Sequence, residues 1–194
     1  MTEAAARFTR LAGRLALADG AMLTWSVADG ARGRRWRAVA VLDGAITHAV
    51  LLEVDRAGRP SRLELTTPAG MLTLHPSSDG LELHGNVVTA TGEGVSHLAF
   101  PWGPDHELEI ADRPGPTVVA LHRRRTSLAV GGHVEVDVVA VSPDLRVSTG
   151  RRRYERLGGG RWRVGEAGSA GVAEFEIDPD GLPMGGVRWA LETD

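Results

Sequence analysis

The sequence predicts a mainly β protein: one spiral β-roll or open barrel of about a dozen antiparallel strands, spanning residues 1–194, with a single N-terminal helix packed on it. Two observations carry this. Short segments that alternate apolar and polar residues, or run apolar on both faces, recur from Leu23 to Leu191, and period two is the strand period. Gly, Pro or Asp bounds nearly every segment, and 25 glycines and 10 prolines supply the turns that closely spaced strands need. A hydrophobic fraction of 42% can form a core without staples, and the lack of cysteine excludes disulfides and thiolate metal sites.

Residues 3–17 are expected to be the helix. Ala4, Phe8, Leu11 and Leu15 recur at helical spacing, Arg7, Arg10 and Arg14 fall on the other side, and Gly20 closes the segment. Leu23, Trp25 and Val27 share a face of the first expected strand. Trp36–Leu42 is apolar on both faces, and Ile46–Val54 follows the turn Asp43-Gly44. Arg62–Thr66 and Met71–His75 form a hairpin around Pro68-Ala69-Gly70. Leu81–Val88 follows Ser77-Ser78-Asp79-Gly80, and His106–Ala111, Thr117–His122 and His133–Val141 continue the pattern. Arg152–Leu157 and Arg161–Val164 flank the turn Gly158-Gly159-Gly160, and Val172–Ile177 and Val187–Leu191 flank Asp178-Pro179-Asp180-Gly181. The stretch Thr89–Asp105 is the loosest, rich in Gly and ending in Phe100-Pro101-Trp102-Gly103-Pro104.

Composition excludes several function classes. Net charge is −3 and every basic residue is Arg. Arginines cluster at 32–37, 123–125 and 151–153, and guanidinium forks suit phosphate, but the chain is acidic overall and no recognition helix or stacking motif accompanies them. No nucleic-acid partner is expected. There is no G-x-G-x-x-G after a strand, no P-loop, no H-E-x-x-H and no G-x-S-x-G. Asp178-Pro179-Asp180-Gly181 lacks the later ligands of a calcium loop. The expectation is therefore no cofactor and no metal. Met1-Thr2-Glu3-Ala4 has no apolar signal core and no apolar run reaches the ~20 residues of a membrane helix, so no transmembrane segment and a cytoplasmic location are expected.

Three segments carry a resemblance: Pro116–Gly131, Val136–Val147 closely followed by Arg153–Leu157, and Phe175–Leu182. Pro116, Leu121, Arg124 and Arg125 fall on a proline, a leucine and an arginine pair, and His106-Glu107-Leu108-Glu109-Ile110 occupies an acidic approach to them. Pro143-Asp144-Leu145 matches P-D-L, and Arg153-Tyr154 matches the end of Q-R-Y with Arg152 in place of Gln. In this order and spacing, residues 116–182 resemble the second half of a bacterial family of glycolipid-binding proteins, with a weaker match over Met22–Gly85. The resemblance implies a spiral β-roll around an apolar cavity that takes a hydrophobic or amphipathic small molecule.

Against that frame the candidate binding residues are Trp25, His48, His97, Trp102, Arg124 and Tyr154. His48 shares a face with Ile46, Val50, Leu52 and Val54 by alternation. It is either a core histidine held by a backbone carbonyl or a polar group orienting a ligand in an oily cavity. Trp102 stands in the Gly/Pro loop, where it could close a cavity mouth or stack on a planar ligand. The alternative function is a cofactor-independent cyclase, isomerase or hydrolase using His48, Glu53 and Asp137. Glu135 and Asp137 share one strand face, as do Glu174 and Glu176. Paired carboxylates can do acid–base work, but a solvated sheet face, cross-paired with Arg161 and Arg163 in the second case, is the ordinary reading.

Overall fold

The computed structural model describes residues 10–17, 19–92, 94–110, 120–122, 127–168, 172–178, 181–182 and 187–190. Among them run Arg10–Ala16 (β1), Met22–Gly30 (β2), Gly33–Leu42 (β3), Ala45–Asp55 (β4), Pro60–Thr67 (β5), Gly70–Pro76 (β6), Glu82–Thr89 (β7), Val95–Pro101 (β8) and His106–Ile110 (β9). His133–Val141 (β10), Val147–Gly158 (β11), Arg161–Glu166 (β12), Val172–Glu176 (β13) and Val187–Ala190 (β14) complete the set. The fold is mainly β, as the alternation predicts.

The strands form two sheets. The large sheet has nine strands in the order β14-β1-β2-β3-β4-β5-β6-β7-β8, and the small sheet has five in the order β13-β12-β11-β10-β9. Every pairing in the large sheet is antiparallel, and β2 to β8 form a meander of neighbours in sequence. β9 and β10 pair in parallel, so the small sheet is mixed. Among the described residues neither sheet closes on itself into a barrel. β13 pairs with β12 and β14 with β1; the chain after Asp178 therefore crosses from one sheet to the other instead of folding back as a hairpin.

The expected helix is corrected over residues 10–16, which are strand β1; residues 3–9 lie outside the described residues. Leu11 pairs with Val27 and Leu15 with Leu23, so both leucines face the core of the large sheet. A spacing of four residues keeps side chains on one face of a strand as well as of a helix, and pairing with β2 decides between them. Thr89–Asp105 also departs from expectation, because β8 lies within it and pairs along β7. Of the expected strand Thr117–His122, residues 120–122 are helical and the rest is outside the described residues.

The main core lies between the inner face of the large sheet and one face of the small sheet. Leu52, Leu63, Leu65, Leu72, Leu74 and Leu83 meet Leu108, Ile110, Val139 and Val141 there. Trp25 and Trp36 stack within it at 5.1 Å between ring centroids. Leu145 reaches the same core although its φ is 64°, a left-handed conformation whose strain is offset by burying the leucine. A second cluster covers the far face of the small sheet: Leu121, Val136, Val138, Tyr154, Trp162 and Ile177. At the β11–β12 turn, Gly160 has φ 83° and a Cβ there would stand 2.3 Å from the Ile177 carbonyl oxygen, so only glycine lets the two segments approach.

Candidate functional site

The candidate residues do not converge. His48 is buried on β4 among Ala40, Val50 and Leu52, as alternation predicts for those neighbours. The register slips at this point, however: Ala40 faces His48 and Val41 faces Ile46, so Thr47 is an extra residue and Ile46 turns outward. The Thr47 hydroxyl donates to the Ala40 carbonyl at 3.3 Å and lies 3.2 Å from His48 Nδ1.

Trp25 is a core residue, stacked on Trp36. Trp102 is buried in the main core with its ring tilted 5.4 Å from His106, and its amide donates to the Leu81 carbonyl. It is a packed connector between the sheets, not a free loop residue. Strand register puts His48 at the end of the large sheet that carries the β3–β4 and β5–β6 turns, and Trp102 at the opposite end. His97 is exposed on the outer face of β8, with Nδ1 2.6 Å from Asn86 Oδ1. Arg124 lies outside the described residues. The three groups of the enzymatic alternative are also apart. Glu53 faces outward and accepts from Arg35 Nε at 2.7 Å, while exposed Asp137 faces Arg151 on the small sheet.

Tyr154 is the member that leads to a site. It is buried on β11 opposite Val134, on the far face of the small sheet. Alternation and register set the rest of that face. Glu107 pairs with Val138, Glu109 with Ala140, Arg152 with Val136, Val164 with Tyr154, and Phe175 with Trp162. The acidic alternation of β9 therefore sends Leu108 and Ile110 to the main core and both glutamates to the other side. Glu107 is fully buried. Arg152 grips Glu109 with two donors, Nε at 2.9 Å and Nη2 at 3.3 Å, and reaches Glu166 with Nη1 at 3.3 Å.

The Arg152–Glu109 pair is largely removed from water, with 20% and 13% of its side chains exposed. Gly150 lies beside the path of Arg152, and a Cβ there would stand 3.8 Å from Nη1. Burial by itself would lower the Arg152 guanidinium, but the hydrogen bond and charge of Glu109 outweigh it and hold the group above its ordinary value. The face thus carries apolar Trp162, Val164 and Phe175 at one end and charged groups at the other. Tyr154, a candidate from the sequence, lies on this face, and Glu107, Glu109 and Arg152, which are not among those candidates, lie there with it. The alternation His106-Glu107-Leu108-Glu109-Ile110 carries the signal that puts both glutamates on one face. Glu135, Asp137, Glu174 and Glu176 fall on the other face, where Arg151 meets Glu135 at 3.3 Å and Arg163 meets Glu174 at 2.9 Å, a solvated ion-paired surface.

No family model matches the chain, and no curated protein matches it. Among solved structures, the chain is similar to a DUF1089 family protein from Pseudomonas aeruginosa, with 22% identity, a TM-score of 0.50, and coverage of 96% of this chain and 95% of that one. At that identity the likeness concerns the fold alone.

Proposed function

We propose that the protein binds a small amphipathic molecule, lipid or glycolipid-like, along the far face of the small sheet. Its apolar part lies against Val164 and Phe175, and its polar head meets Glu109 and Arg152. The observation that carries this reading is the composition of the face: an apolar cluster adjoins Glu107, Glu109 and Arg152, three charged side chains withdrawn from water. Apolar residues of similar volume would hold two strands together at no desolvation cost, whereas ligand sites combine apolar walls with a few placed polar groups. The resemblance of residues 116–182 to glycolipid-binding proteins points the same way, and Glu107, Glu109, Leu121, Arg152 and Tyr154, all from the segments that carry it, share this face. Binding is preferred to turnover because His48, Glu53 and Asp137 do not meet.

Native mass spectrometry of freshly purified protein should find a retained amphipathic molecule, and a hydrophobic fluorescent probe should compete with it. Phe175→Ala should weaken the probe by about 1–3 kcal/mol, the worth of an aromatic contact. Arg152→Gln should weaken a ligand with a polar head more than the bare probe. A protein that carries nothing, and whose probe affinity is indifferent to both changes, would overturn the reading.

A further inference from the structure

We propose that the outer face of the large sheet docks on the surface of an anionic lipid bilayer. Along one end of that face Met22, Val39, Ile46, Met71, Val88 and Val95 are 36–57% exposed. Register makes them a band across the sheet. Thr24 pairs with Val39, Val39 with Ala49, Ala49 with Thr66, Thr66 with Met71, Met71 with Val88, and Val88 with Val95, so no charged residue interrupts the row from β2 to β8. Met22 and Ile46 widen it toward the rim, Ile46 because the extra residue Thr47 turns it outward. Exposed apolar surface this continuous marks an interaction site.

Charge selects the occupant. The same face carries five arginines, Arg10, Arg14, Arg35, Arg37 and Arg62, against Glu53, Asp55, Glu64 and Glu82, although the whole chain is acidic at −3. Arg35 and Arg62 are paired with Glu53 and Glu64, while Arg14 and Arg37 make no ion pair among the described residues. An apolar band beside free guanidinium groups complements a surface of acyl chains and phosphates, which Arg grips through its planar fork. A second copy of the same face would set like charges against each other. Asp19 and Asp43, in the turns at the rim, resist entry into hydrocarbon and keep the contact at headgroup depth. The docking face is separate from the ligand-binding face of the small sheet and does not depend on it.

Flotation of the full chain with phosphatidylcholine vesicles, with and without phosphatidylglycerol, tests this. The protein should float with the anionic vesicles and lose most of that binding in high salt. Met71→Asp combined with Ile46→Asp should weaken it at least about tenfold, and Arg14→Glu with Arg37→Glu by a similar factor. All four positions carry exposed or outward-facing side chains, and unchanged circular dichroism identifies folded variants; the arginine pair serves if the aspartates disturb the sheet. Arg152→Gln should float like the parent protein, which separates this docking from ligand binding on the small sheet. No partition onto anionic vesicles, or equal partition by the variants, overturns the proposal. So does a parent protein that is dimeric in solution and becomes monomeric on Met71→Asp.

Discussion

The inner face of the large sheet buries Trp25, Leu52, Leu63, Leu65, Leu72 and Leu74, with His48, Thr67 and Arg34 as its polar members, whereas the far face of the small sheet buries Tyr154, Trp162 and Leu121 alongside Glu107, Glu109 and Arg152. Both are removed from water and both hold an arginine–carboxylate pair, Arg34–Asp29 on the first and Arg152–Glu109 on the second, but the first is otherwise mainly apolar. Aliphatic side chains there gain roughly 1.5–3 kcal/mol each on burial. On the second face Glu107, Glu109 and Arg152 are drawn away from water, with Arg152 held on Glu109 by two donors. The first face is dominated by apolar packing, and on the second charged side chains make up a larger share.

That contrast can be broken experimentally, beginning where the effect is largest. Leu72→Ala or Leu74→Ala, at fully buried positions of the large sheet, should lower unfolding free energy in urea by about 2–5 kcal/mol through lost burial and an unfilled cavity. Either leucine tolerating alanine at less than about 1 kcal/mol would mean that the two sheets are loosely packed there.

Next comes the charged pair of the small sheet. Arg152→Leu should cost about 1–3 kcal/mol, less than a fully buried pair because both partners keep some water. Adding Glu109→Leu should return most of that loss while abolishing any selectivity for polar heads. If the double variant is as unstable as the single one, the pair contributes structurally and the contrast between the faces fails.

His48→Leu should be milder. It removes the contact with the Thr47 hydroxyl and keeps the apolar packing, so a loss of about 0.5–1.5 kcal/mol is expected in the same assay. A large loss would show that His48 organises the bulge on β4 instead of filling its inner face.

The smallest effect is in the turns. Hydrogen bonds from the Ser77 hydroxyl and Leu81 amide hold Asp79 below the usual carboxylate range, and the Ser142 hydroxyl, with the charge of Arg146, does so for Asp144. Between the folded values and the unfolded value of about 3.9, the unfolded chain binds more protons, so stability rises with pH there. The contribution is complete above about pH 5 and is lost as pH falls through the folded values. Ser77→Ala and Ser142→Ala should each flatten the acid limb of a stability–pH curve slightly and leave stability differences constant above it. A change confined to neutral pH would contradict the assignment.

Part of the molecule was legible without coordinates. Alternation identified most strands of the meander, the hairpins at Pro68-Ala69-Gly70 and Gly158-Gly159-Gly160, the burial of His48 with Val50 and Leu52, and the solvated faces of Glu135, Asp137, Glu174 and Glu176. The site was mostly not legible. Trp102 looked free because Gly and Pro surround it, yet its ring packs in the main core. His48 and Trp102 seemed partners because both are unusual for their surroundings, but strand register sets them at opposite ends of the large sheet.

The sequence by itself determined what period two can determine: strands, turns, and which residues share a face within each strand. It did not decide whether residues 10–16 are helix or strand, because residues four apart share a face in both. Pairing of β1 with β2 and β14 decided that. Nor could it decide which strands become neighbours. Glu109 and Arg152 are 43 positions apart and meet only because β9 pairs in parallel with β10, which pairs in turn with β11. Register is a property of two strands at once, and an ion pair assembled across three of them is fixed by tertiary structure.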